Sequence, residues 1–290
     1  MTTELAFIAA LRQLASHPAA RGLDDDGAVL ELGGEALVLT HDMMVEGVHF
    51  LKDQDPADVA WKLVATNISD LAAKGAEPLG VLLGYTLGGD DARFLEGLRE
   101  ALAHYRAPLL GGDTVGSGGP RSLGLTAIGR ATHRPVPARS GAQAGDALWL
   151  TGRLGGAMAG LEALRRGEGD SLAYRRPQAR LDEGLALAPL VTAMMDVSDG
   201  LLLDASRMAE ASGITLAIDR AAVPIAVPET RRDEAFRWGD DYELLFTLPA
   251  GVAPPVAATR IGEARDRGNC VLLLDEMPLL PGDRRGFQHS

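Results

Sequence analysis

The chain has 290 residues, 46% of them hydrophobic, with a formal net charge of -12. That is enough for two domains or one large one with a sizeable core, and the negative charge excludes a general nucleic-acid binder, which needs a basic footprint. Aromatics make up only 4% and Cys270 is the single cysteine, so the core rests on Ala, Leu and Val, and neither an intrachain disulfide nor a cysteine metal site can form.

Residues 4–16 read as an amphipathic helix. They lack the basic start and continuous apolar run of a signal peptide. No later apolar run is long enough to span a bilayer, so a soluble cytoplasmic protein without membrane contact is expected. An acidic turn at 22–27 precedes a strand at 28–32. Gly33-Gly34 turns the chain into a strand at 36–40, which His41-Asp42 ends. Residues 56–78 predict a helix of about five turns. Asp55 caps it, Pro56 suits its first position, and Gly75 followed by Pro78 stops it. Val59, Leu63, Val64, Ile68 and Leu71 recur at three- and four-residue spacing, which predicts one buried face. Asp70 stands near the C-terminal end, where the macrodipole disfavours a carboxylate. It is either solvated or held by a cation. A strand at 79–87, a helix at 91–106 and a short strand at 108–110 lead into Gly111-Gly112-Asp113-Thr114, and another strand follows at 122–130.

Pro135 and Pro137 mark a boundary between units at 1–135 and 136–290. The second unit reads as a strand at 147–151, a turn rich in glycine (Gly152, Gly155, Gly156), and helices at 157–166, 178–191 and 200–212. Strands are expected at 193–197, 214–218, 242–248, 257–261 and 270–274. Strands and helices interleave in both halves, which argues for two α+β or α/β domains.

The acids fall where these elements end. Asp26 precedes a strand; Asp42 and Asp113 end strands; Asp196 and Asp199 flank Ser198 where a strand passes into a helix; Asp240 precedes a strand. Carboxylates in such places are good ligands for hard cations, and Mg²⁺ is commonly held by a few carboxylates plus substrate phosphates. Each acid alone reads first as a turn former or a helix cap. Gly111-Gly112-Asp113-Thr114 and the turn at 152–156 allow close backbone approach to a phosphate, or are ordinary turns. No P-loop and no Rossmann fingerprint occurs. Arg139 suits a phosphate or a surface acid. His49 is a satisfied loop histidine or a substrate ligand, and Cys270 reads as a core thiol.

Eight stretches then appear in one order: GLDDDGAVL (22–30), THDMMVEGVHF (40–50), NISDLAAKGAEP (67–78), LLGGDT (109–114), ARSGAQAGD (138–146), MDVSDGLLLD (195–204), DDYELLF (240–246) and GFQH (286–289). With them the chain resembles the thiamine-monophosphate kinase family of the aminoimidazole ribonucleotide synthetase-like superfamily. The resemblance implies a mixed α+β, two-domain fold of that superfamily and a homodimer paired through its N-terminal domains. It implies that ATP phosphorylates thiamine monophosphate with several Mg²⁺ ions and no covalent intermediate. It further implies Asp26, Thr40, His41, Asp42, Asp70, Asp113, Asp196 and Asp199 as the metal set, with Asp70, Asp42 and Asp199 at the chemistry. Arg139, Ser198 and Gly112 are implied for ATP, and His49, Asp240 and Phe287 for thiamine monophosphate. Three positions depart from the family: His41 stands for Thr or Ser, Asp240 for a longer Glu, and Asp24 for Gly. Two other readings remain at this stage, a relative that uses ATP to activate a different small acceptor and a non-catalytic nucleotide- or metal-binding protein. The absence of a cysteine near the N-terminus argues against selenide as that acceptor.

Overall fold

In the computed structural model, which describes residues 4–279, 283 and 285–287, a short helix, Glu4–Arg12 (α1), is followed by a 3₁₀ segment, Pro18–Leu23. Gly33 and Gly34 both take positive φ, 60° and 86°, as a two-residue hairpin turn requires. They join Ala28–Leu32 (β1) to Glu35–Val45 (β2). β2 does not end at His41-Asp42; it pairs with a later strand through Val45. Strand alternation therefore governs residues 40–42.

Pro56–Ala73 (α2) follows the expected signals. The Asp55 side chain accepts from Ala57 N at 3.0 Å, Pro56 opens the helix, and Gly75 at φ 56° ends it. The expected single buried face is wrong: beyond Pro56 every residue of α2 is buried except Asp70, which is half-buried. A helix that is covered all round lies inside the molecule. α2 packs on the first sheet through β2 and on elements of the second half as well. The strand after it, Ala76–Thr86 (β3), begins earlier than expected and takes in Pro78, beside which the pairing register shifts.

Asp91–His104 (α3), Leu109–Val115 (β4) and Ser122–Ala131 (β5) complete the first half. The first sheet has the order β1-β2-β5-β3-β4, antiparallel except for β3 with β4. β1 and β4 are its edges, and all seven residues of β4 are exposed. The second half comprises Ala147–Thr151 (β6), Gly156–Arg166 (α4), Leu172–Arg175 (α5), Leu181–Leu187 (α6), Ala193–Val197 (β7), Leu201–Ser212 (α7), Thr215–Ile218 (β8), Arg232–Trp238 (α8), Glu243–Leu248 (β9), Ala258–Arg265 (β10), Leu272–Leu274 (β11) and Met277–Pro278 (β12). Its sheet has the order β12-β11-β8-β10-β6-β9-β7. The helix expected at 178–191 shrinks to α6, whereas α5, α8 and β12 have no counterpart among the expected elements. Cys270 lies half-buried just before β11, outside a strand.

One apolar core joins α2 to both sheets: Leu63, Val64 and Ile68 belong with Leu123 and Leu125 of β5 and with Leu244 and Phe246 of β9. A second core fills the space between the C-terminal sheet and α7. The mixed α+β architecture thus places α2 between two sheets, and one turn of it carries Asp70 to the gap between them.

Candidate functional site

The gap is a cleft of about 930 Å³. Its floor is acidic. Asp26 from the turn before β1, Asp70 from α2 and Asp196 from β7 place carboxylate oxygens within 4.8 Å of one another. Asp42 and Asp199 line the same cleft.

The charges on these acids are unevenly matched. Burial would raise Asp26, but Arg139 and then Lys74 outweigh it and hold its carboxyl below the usual range. Arg139 reaches Oδ1 at 2.6 Å and Lys74 reaches Oδ2 at 2.7 Å. Among the described residues Asp70 has no such cation. Burial, then the charges of Asp42, Asp196 and Asp26, push its pKa well up, against a hydrogen bond from the Thr40 hydroxyl. Asp196 is pushed up to about 8 by burial first and Asp26 next, although the Ser69 hydroxyl donates to it at 2.7 Å. Asp42 rises to about 6, again chiefly by burial. Two carboxylates, one half-buried and one buried, are thus served by hydroxyl donors and by like charge around them. The donor set is all oxygen and hard, and among the described residues neither Asp70 nor Asp196 has an ion pair, although Arg139 offsets part of the rise at Asp196; the set fits a hard divalent cation. Asp199 instead carries an ion pair with Arg207 of α7.

Ser198, His49, Asp240 and Phe287 also line the cleft. Phe287 is held there by its backbone N–H, which donates to Asp199 O at 2.9 Å. The two residues that complete the GFQH stretch, Gln288 and His289, lie outside the described residues. Asp240 adopts φ of 60°, and its two carboxylate oxygens accept from Lys62 Nζ at 2.7 Å and from the Tyr242 hydroxyl at 2.9 Å. His49 Nδ1 accepts from Val45 N at 3.0 Å.

Three expected site residues stand elsewhere. On β2 the side chains of Thr40 and Asp42 share a face and His41 points to the other, where it is exposed and meets Thr126 Oγ1 at 2.9 Å. Its imidazole is therefore not with the acids. Gly112 and Asp113 lie on β4 at the exposed edge and do not line the cleft of their own chain. Thr40 reaches the acids by bonding Asp70 and the Asp26 carbonyl.

Sequence reasoning passed over Lys62, Lys74, Tyr174, Arg207 and Tyr242. Lysines at 62 and 74 were the available signal: each interrupts the apolar pattern of α2 or its C-cap, and both are buried. A buried lysine needs a partner, and a carboxylate constellation supplies one.

A family model described as AIR synthase related protein, N-terminal domain, matches residues 24–131, and its C-terminal counterpart matches 143–273. The chain is 38% identical over 249 residues to the thiamine-monophosphate kinase of Escherichia coli K12, covering 79% of this chain and 76% of that protein. It is 38% identical over 277 residues to the thiamine-monophosphate kinase of Caulobacter vibrioides, covering 85% and 79%. A solved structure of AaThiL complexed with AMPPCP and TMP matches with a TM-score of 0.88 at 29% identity, covering 99% of this chain and 97% of that one.

Proposed function

This chain belongs to the thiamine-monophosphate kinases of the AIR synthase related family, and on that premise we propose that it transfers the terminal phosphoryl group of ATP to thiamine monophosphate, yielding thiamine diphosphate. It is a kinase whose acceptor is itself a phosphate, so two anions must approach each other. The observation that carries the reading is one cleft with the buried acids on its floor and His49 and Asp240 on its wall. The relative solved with AMPPCP and TMP supports the same pair of substrates.

In this reading Asp26, Asp70 and Asp196 would hold Mg²⁺, with Asp42 and Asp199 beside them, and the ion would supply charge neutralisation for the phosphates; no covalent intermediate is needed. Thr40 orients Asp70 through its hydroxyl. Arg139 and Ser198 face the nucleotide, while His49, Asp240 and Phe287 face the acceptor. The residues divide into units of 1–135 and 136–290, the first carrying Asp26, Asp42 and Asp70 and the second closing over them.

We further propose a cytoplasmic homodimer. β4 offers an unpaired edge, and Met43, Leu82, Leu109, Leu110 and Val115 are exposed on that sheet. An exposed apolar edge of this kind calls for a partner. Gly112 and Asp113 would then stand at the interface.

Pure protein incubated with ATP, Mg²⁺ and thiamine monophosphate should form thiamine diphosphate and ADP in equal amounts. ADP without thiamine diphosphate would transfer the reading to another acceptor. Magnesium-dependent ATP binding without turnover would overturn catalysis altogether.

A further inference from the structure

Lys62 lies on α2 two turns before Asp70 and is 1% exposed. A buried lysine is costly unless its charge is met. Here it is met three times. Nζ donates to Asp240 Oδ2 at 2.7 Å and to the His49 carbonyl at 3.2 Å, and it lies 4.0 Å from the centroid of the Tyr174 ring. Lys62 lines the cleft, but two of the three N–H donors of its ammonium are engaged by protein oxygens and its charge also faces the Tyr174 ring. The Tyr174 hydroxyl donates to the same His49 carbonyl at 3.0 Å. Tyr174 is in turn held in place because Arg175 and Arg176 both pair with Asp58, one turn before Lys62 on α2.

Asp240 is thereby fixed through both oxygens, one by Lys62 and one by Tyr242. Its backbone lies in the left-handed region, uncommon for a residue with a side chain. A carboxylate has about four lone-pair sites, so acceptor capacity remains on the cleft side. We infer that Lys62 is the positioning residue of the acceptor end: it locks the Asp240 carboxylate and the His49 loop in the geometry that receives thiamine monophosphate, without touching that substrate. The inference rests on the kinase reading above. It gives this wall of the cleft a fixed shape, set from the same helix that carries Asp70 to the floor.

Steady-state kinetics with both substrates varied tests it. Lys62→Met keeps the volume and removes the charge. It should raise KM for thiamine monophosphate by roughly tenfold or more, because truncating one partner of a buried charge pair strands the other. KM for ATP should stay within about twofold, the pattern of a lost interaction with one substrate alone. In the double variant with Asp240→Asn, the two increases should not multiply, since both act through one contact. A folded Lys62→Met with both KM values unchanged, or both raised equally, overturns the inference; so do increases that multiply. Should Lys62→Met fail to fold, the double variant decides: a KM equal to that of Asp240→Asn supports the inference and a further rise overturns it. Wild-type protein that makes no thiamine diphosphate overturns the kinase reading itself, before any variant is compared.

Discussion

Replacing Asp196 with asparagine is expected to stabilise the cation-free protein. The side chain is buried, and burial followed by the charge of Asp26 pushes its pKa from 3.8 to about 8. In the unfolded chain the same group ionises near pH 4. Between those values the folded state holds the extra proton, so stability falls as pH rises. Each pH unit removes about 1.4 kcal/mol, and at pH 7 the penalty approaches about 4 kcal/mol. Asparagine cannot ionise and escapes this cost, and it keeps an oxygen for the Ser69 hydroxyl, which lies 2.7 Å from the present carboxylate. Thermal unfolding in EDTA, followed from pH 4 to pH 8, should show wild type and variant together at the acid end. They should separate above it, with the variant higher at pH 7 by on the order of 10 °C. Excess Mg²⁺ should raise the wild type and flatten its pH slope, because a cation takes the place of the proton. The variant should gain much less and should lose turnover. Parallel curves in EDTA, or equal stabilisation of both proteins by Mg²⁺, would refute the reasoning.

Asp70→Asn should fold normally and lose thiamine diphosphate formation by several orders of magnitude, comparable to the loss of a principal catalytic group; near-wild-type turnover would remove Asp70 from the chemistry. Leu110→Arg on the exposed β4 edge should convert the proposed dimer to monomer in sedimentation experiments, because a charge at the centre of an apolar interface is strongly unfavourable. Gly97→Ala should lower stability by about 1–3 kcal/mol in urea unfolding, since a Cβ there would come within 2.1 Å of the Ala57 carbonyl oxygen where α3 crosses α2. An unchanged urea midpoint would mean the two helices can separate at no cost.

Much of this molecule is written locally. Caps and periodicity sufficed to place α2, because Asp55, Pro56 and Gly75 act on the few residues around them. β1, β6 and β7 were legible for the same reason, as were the acids at strand ends and the ordered stretches that carry the family resemblance. What local pattern could not supply was the number of neighbours. α2 reads as a helix with one apolar face; only the tertiary structure covers it from two sides, and only then does Lys62 become a buried cation. The face on which His41 points was decided by β2 continuing to pair with β5 beyond residue 40, a contact set by residues far along the chain. Gly112 and Asp113 read as a turn open to a phosphate or as an ordinary turn, yet their place at the open edge of a sheet follows from strand order, which no short window encodes. The same holds for the acids. Residue type and position made each of them a candidate, but proximity in space raises Asp70 and Asp196 while Arg139 and Lys74 lower Asp26. Charge interactions depend on distance and burial, and both are properties of the folded chain.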